Sequence, residues 1–269
     1  MKSRSAKMRF AVAIALGLVI SSQTPVLAQS FVERVKRLFG GGGGRDTGRR
    51  RGGGTLDLCP YVEESLWAFA PVDSLAENAE PPELESVLMP TVGATIQPQP
   101  TLWFYVPYGA AASRPVEFVL IDAEETILTR QPLTLPENPG VMPVSLPDEA
   151  ALEAGQRYRW VFSIICNPAN RSADLTVNGW IERVQPQSDI EAAIATLPAT
   201  ARPLFYAENE LWYDTVDALA RQRLANPNDA ELAANWRALL ETIGLEDTAI
   251  EQGTIPIAPS SSPATPPEE

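Results

Sequence analysis

From residue 101 to residue 184 the chain alternates apolar and polar positions with a period of two, and after residue 185 the period lengthens to that of a helix. In Thr101–Tyr108, Leu102, Phe104, Val106 and Tyr108 share one face and Trp103 and Tyr105 the other, so this strand is apolar on both sides. Pro115–Asp122 carries Val116, Phe118 and Leu120 on one face and turns through Ala123-Glu124-Glu125 into a partner, Thr126–Arg130. Val141–Leu146 is a short strand near prolines, and Arg157–Cys166 alternates most cleanly, with Tyr158, Trp160, Phe162, Ile164 and Cys166 facing one way. Asp174–Val184, bearing Trp180, completes the set. Strands at roughly ten-residue spacing with turn residues between them predict an antiparallel sandwich.

Past Gln185, Ser188-Asp189-Ile190-Glu191 has the spacing of a capping box, and Ile190, Ile194 and Leu197 share a helical face up to Pro198. Glu208–Leu224 places Trp212, Val216, Leu219 and Ala220 on one stripe. After the turn Asn226-Pro227-Asn228-Asp229, Leu232, Trp236, Leu239, Leu240 and Ile243 form another, closed by Gly244. The prediction is an α+β fold: an immunoglobulin/fibronectin-like antiparallel β-sandwich over 55–186, followed by a helical region over 187–245 built around an α-helical hairpin. A single copy of that helical pair does not make a repeat solenoid.

The N-terminal third follows other rules. Lys2, Arg4, Lys7 and Arg9 precede the apolar run Phe10–Ile20, and Val26-Leu27-Ala28 suits a signal peptidase, so residues 1–28 are expected to be a leader and the protein exported, to periplasm or cell surface. An uncleaved anchor is the alternative. Residues 29–54 are basic and glycine-rich. Gln29–Phe39 predicts a short amphipathic helix with Val32, Val35, Leu38 and Phe39 on one side, and Gly40–Gly44 and Gly52–Gly54 flank the triplet Arg49, Arg50 and Arg51. Residues 31–51 therefore offer peripheral attachment to an anionic membrane or cell-wall surface, against the alternative of a solvated linker. Thr55–Gln99 is rich in proline and reads as a wrapping segment pinned at Cys59, with a short helix around Val62–Phe69. Residues 246–269, rich in Pro, Ser and Glu, are expected to be disordered.

Charge and absences narrow the chemistry. The 269-residue chain holds 21 basic and 34 acidic residues, and beyond Gly54 ten basic residues face 32 acidic ones, a balance of −22. That field repels nucleic acid. The chain has no histidine, which removes His-dependent triads and the usual zinc and copper ligand sets. No phosphate-binding glycine loop, dinucleotide fingerprint or G-x-S-x-G is present, so no cofactor, metal site or catalytic residue is assigned. The acid pairs Glu63-Glu64, Glu124-Glu125 and Asp73 with Glu77 sit on turns or adjacent positions, which does not place two carboxylates across a cleft. Cys59 and Cys166 are the only cysteines; in an exported chain they read first as a disulfide, with two buried thiols as the alternative.

The aromatic residues hold the functional promise. Trp103, Tyr105 and Trp180 are candidates for a binding surface, with burial in the core as the competing reading. The expected function is an exported, non-enzymatic interaction module that binds an envelope protein or polymer. The alternative is a carboxylate-dependent hydrolase of glycan or cell-wall material, which requires two acids converging in a pocket.

The stretches Thr101–Tyr108, Tyr158-Arg-Trp160 through Cys166, Gly179-Trp180-Ile181, Leu211-Trp-Tyr-Asp214 and Trp236–Leu240 resemble an exported cyanobacterial family called domain of unknown function 928. The likeness runs from about Gly52 to Leu245 and implies no activity. Separately, Leu152–Trp160 is similar to the later strands of fibronectin-type sandwiches, a likeness of fold alone.

Overall fold

The structure is a computed structural model that describes residues 26–39, 59, 62, 65–71 and 92–245. Eight strands form two sheets: β1 (Trp67–Ala68), β2 (Val92–Thr95), β3 (Thr101–Val106), β4 (Val116–Ile121), β5 (Ile127–Leu133), β6 (Gly140–Ser145), β7 (Gln156–Ile164) and β8 (Leu175–Arg183). One sheet runs β1-β3-β6, the other β2-β8-β7-β4-β5. Helix α1 is Val26–Phe39; α2 (Ser188–Thr196), α3 (Arg202–Glu208), α4 (Trp212–Ala225) and α5 (Ala230–Thr242) follow the strands. The fold is α+β. Its six long strands lie where the two-residue period predicts them, because alternation reports directly on a pleated surface with one face buried.

Phe104 of β3 joins the two sheets. Its ring stacks on Phe162 of β7 at 4.4 Å and meets Trp160 and Phe118 edge-on at 5.5 and 6.3 Å. Burying each such aromatic is worth about 2–3 kcal/mol. Strand β8 narrows to Gly179 because the Trp160 indole lies where a Cβ would project.

Several expectations are corrected. Strand β2 lies in the proline-rich span read as a wrapping segment, and it pairs in parallel with β8, Val92 beside Trp180 and Thr95 beside Arg183, so the larger sheet is mixed rather than antiparallel throughout. The helix expected around Val62–Phe69 gives way to β1, whose Trp67 and Ala68 pair with Tyr105 and Phe104. The edge of β3 offers backbone partners there, and Phe69 N–H extends the pairing to the Trp103 carbonyl at 3.0 Å.

The helix expected over Glu208–Leu224 begins later, as α4 at Trp212, and a separate helix, α3, ends at Glu208. Glu210 sits in the left-handed region at φ 59, which no continuous helix tolerates, and the chain turns there between α3 and α4. The capping box at Ser188 does not form: α2 begins at Ser188 with Gln187 before it and no side-chain cap bond. Asp229 does cap α5, accepting from Glu231 and Leu232 N–H at 2.9 and 3.0 Å.

Helix α1 begins at Val26, ahead of the predicted start. Its buried residues are Phe31 and Val35, with Phe39 next in the i, i+4, i+8 row, so the inward face is rotated from the one predicted. This row packs against α5 and α3. Arg34 pairs with Glu208 at 3.0 Å and Lys36 with Glu241 at 2.5 Å. The Phe39 ring meets Trp212 edge-on at 4.7 Å, and the Trp212 indole N–H donates to the Phe69 carbonyl at 2.9 Å. Arg49, Arg50 and Arg51 and the tail over 246–269 lie outside the described residues.

Candidate functional site

Helix α4 packs on β2 of one sheet and β3 of the other, covering the seam between them. Beside it the β2–β3 connection and the Ala199–Tyr206 stretch enclose a cleft of about 620 Å³. Its chemistry comes from two helices.

Asp214 and Asp217 sit one turn apart on α4. Asp214 is buried; one carboxylate oxygen accepts from Ile96 N–H and the other from Gln97 Nε2, both at 3.2 Å. Burial pushes its carboxyl up to about 6. Hydrogen bonds from Thr95, Gln97 and Ile96 oppose that rise, and the neighbouring Asp217 charge adds to it. Among the described residues no cation adds to these effects. Asp217 is held differently: Oδ1 accepts from the Trp103 indole at 3.0 Å and Oδ2 from Arg221 Nε at 2.8 Å. Arg221 continues to Thr101 Oγ1 at 3.2 Å, tying α4 to β3.

From α3, Arg202 and Tyr206 reach the same space at i, i+4 spacing. Arg202 Nε is buried and has no hydrogen-bond partner among the described residues. Tyr206 feels both sides of the cleft: burial raises its phenol pKa, the Asp214 charge raises it further, and Arg202 lowers it.

A second chain of polar contacts lies beneath the cleft. Trp160 Nε1 donates to the Tyr213 hydroxyl, and that hydroxyl donates to the Trp180 carbonyl, each at 2.9 Å. Burial drives the Tyr213 phenol well above its usual range. The Tyr213 ring also occupies the space beside Gly93 that a side chain there would need. These contacts hold α4 against β2, β7 and β8, and so fix where Asp214 points.

The candidate residues from sequence separate accordingly. Trp103 and Tyr105 are interior: 2% and 9% exposed, with Trp103 bonded to α4. Of the two readings weighed for them, binding surface and core, their burial fits the core one, with α4 packed over β3 at Trp103. Trp180 is half-buried on the outer face of the larger sheet, where Thr176, Asn178 and Glu182 alternate with the inward residues. Cys59 and Cys166 are bonded, their Cα atoms 5.1 Å apart. Glu124 and Glu125 sit on the exposed β4–β5 turn, far in chemistry from a cleft, and Asp122 there accepts from Glu124 and Thr126 N–H. Glu63, Glu64, Asp73 and Glu77 lie outside the described residues.

A family model, Domain of Unknown Function (DUF928), matches residues 45–253. The chain belongs to this family. The DUF928 segment takes in both sheets, the four C-terminal helices and all residues of the cleft, while α1 precedes it. No curated protein and no solved structure matches the chain.

Sequence reasoning passed over the acids and cations of this DUF928 cleft. Leu211-Trp-Tyr-Asp214 stood out only as part of a resemblance. The available signal was Asp214, Asp217 and Arg221 at i, i+3 and i+7 on a helix whose apolar stripe already accounts for the other face. That pattern also describes an ordinary solvated face, and only the packing of α4 on β2 makes Asp214 a buried charge.

Proposed function

We propose that this DUF928 chain is an exported, non-enzymatic interaction module of the cell envelope and that its ligand enters the cleft between α3, α4 and the β2–β3 connection. The observation that carries this reading is the state of the two cleft acids. All four oxygens of Asp214 and Asp217 already accept hydrogen bonds from the protein, and both acids project from the same wall. Glycoside hydrolysis needs two carboxylates on opposite sides of the bond being cut, about 5–9.5 Å apart. The arrangement suits holding a ligand, and the volume is of the size small-molecule sites use. Export fits the basic, apolar leader pattern of residues 1–28 and the Cys59–Cys166 bond, since disulfides persist in oxidising compartments. Because the apolar row of α1 is used inside the protein, attachment to a membrane or wall would rest on Arg49–Arg51. We read the sheets and helices as a fibronectin-like sandwich with a helical hairpin, which brings no activity with it.

The test is equilibrium binding of soluble envelope fragments, both wall-derived peptides and glycans, to the full chain and to Ala218→Trp, which places an indole in the cleft. Retention by the natural chain and loss in the variant, with equal thermal stability, support the module. Equal binding by both removes the cleft from the function.

One observation favours the hydrolase alternative: a buried carboxyl lifted to about 6 is matched to proton donation near neutral pH. Turnover of wall glycan that disappears in Asp214→Asn would establish that reading, and intact fragments after prolonged incubation would end it.

A further inference from the structure

The cleft holds two opposite charges that do not neutralise each other. Asp214 is buried with only neutral hydrogen-bond donors and no ion pair, while the second acid, Asp217, is matched by Arg221 at 2.8 Å. On the α3 wall, the Arg202 guanidinium has its Nε buried and unbonded and enters no ion pair among the described residues. Both groups act electrostatically on Tyr206, and all three side chains line the cleft. Desolvating a charge without a partner is costly, and pairing these two would recover that cost. Such departures from local satisfaction concentrate where a protein keeps groups ready for something else.

From this arrangement we propose that the cleft recognises a small amino-acid or short-peptide zwitterion, its carboxylate on Arg202 and its ammonium on Asp214. This rests on the cleft being a binding site and names the ligand class. Arginine's planar fork matches a carboxylate in bidentate fashion, and the buried Nε is one of the donors such a pairing uses. A zwitterion also suits the charge of the whole molecule. The −22 balance beyond Gly54 repels anions at long range, but a ligand of zero net charge approaches unopposed. Free amino acids carry the two charges on one carbon, and short wall-derived peptides carry them at their opposite ends.

The test is calorimetric titration of the full chain with alanine, alanyl-alanine, N-acetylalanine and alaninamide, the last two lacking the ammonium and the carboxylate respectively. Alanine or the dipeptide should bind at least tenfold more tightly than either blocked analogue, and the tighter of the two identifies a free amino acid or a short peptide. Arg202→Gln should weaken the zwitterion at least tenfold yet leave alaninamide unchanged. Asp214→Asn should weaken the zwitterion at least tenfold and alaninamide with it, while leaving N-acetylalanine unchanged. A merely structural role would weaken all ligands together in either variant, and that result overturns the assignment, as does equal binding of blocked and unblocked forms. If glycan fragments bind in a manner abolished by Ala218→Trp while none of the four alanine compounds binds, the zwitterion is wrong and the binding module stands. If Ala218→Trp changes no interaction of any kind, both fall.

Discussion

Trp103 and Asp217 lie 114 residues apart and meet at 3.0 Å, the indole N–H of β3 on a carboxylate oxygen of α4. Through that bond, the most aromatic strand of the chain is fastened to the helix that forms the cleft wall. Hydrogen bonds to a charged acceptor contribute more than neutral ones. Trp103→Phe, which keeps an aromatic ring and deletes the donor, should therefore cost about 2 kcal/mol in urea unfolding. Trp103→Ala should cost about 3–5 kcal/mol, the range for emptying a buried aromatic site. A change within 0.5 kcal/mol for both would place Trp103 outside the core.

Asp214 should make stability fall as pH rises. Its folded carboxyl is pushed up to about 6, above the ordinary value of 3.8, so between those values the folded state binds more protons than the unfolded state. Stability from this group is full below pH ~4, declines through pH 6 and is flat above it, with a total swing of about 3 kcal/mol. Glu117 has the opposite sign. Although burial raises its carboxyl, bonds and charges from Arg130 and Arg171 hold it below its usual value, so its contribution is lost only in stronger acid. The measurement is urea unfolding of the natural chain and Asp214→Asn at pH 4.5, 6 and 7.5. The stability of the natural chain relative to the variant isolates Asp214 and should rise as pH falls from 7.5 to 4.5. A difference independent of pH would show that the carboxyl titrates normally.

Gly179 is where β8 yields to the Trp160 indole. Gly179→Ala would set a methyl group into that ring, and overpacking of this kind costs about 1–3 kcal/mol. Trp160 fluorescence should shift along with the loss in thermal stability. An unchanged melting temperature would mean that Trp160 has room to move.

The Cys59–Cys166 bond closes 107 residues, so it should stabilise the fold by about 4–5 kcal/mol through the unfolded chain. Replacing both cysteines by serine, or reducing the natural chain, should lower the unfolding midpoint by equal amounts. A midpoint indifferent to reductant would show that the bond is not formed in solution.

The strands were legible because alternation is a local property: Tyr158, Trp160, Phe162 and Ile164 point one way whatever else the chain does, and all four are buried. The helices after Gln185 were legible in the same way except α3, which ends just before Glu210, a left-handed residue that is not glycine and so gives no clear signal of a turn. Strand β2 was hidden by the prolines around it, since Val92–Thr95 becomes a strand only through its parallel partner β8.

The sequence by itself determined the periods, the turns, the acidic balance and the absence of histidine, all of which follow from residue identity and spacing. Tertiary structure decided what covers the second face of Thr101–Val106, turning Trp103 from a candidate surface residue into a bonded core residue. It also decided that Asp214 is a buried charge and that Arg202 shares its cleft. The physical reason is range. A side chain's direction is set within a few residues, but burial and charge environment depend on segments that folding brings from more than a hundred residues away, and one helix presents no pattern that says which strand it will cover.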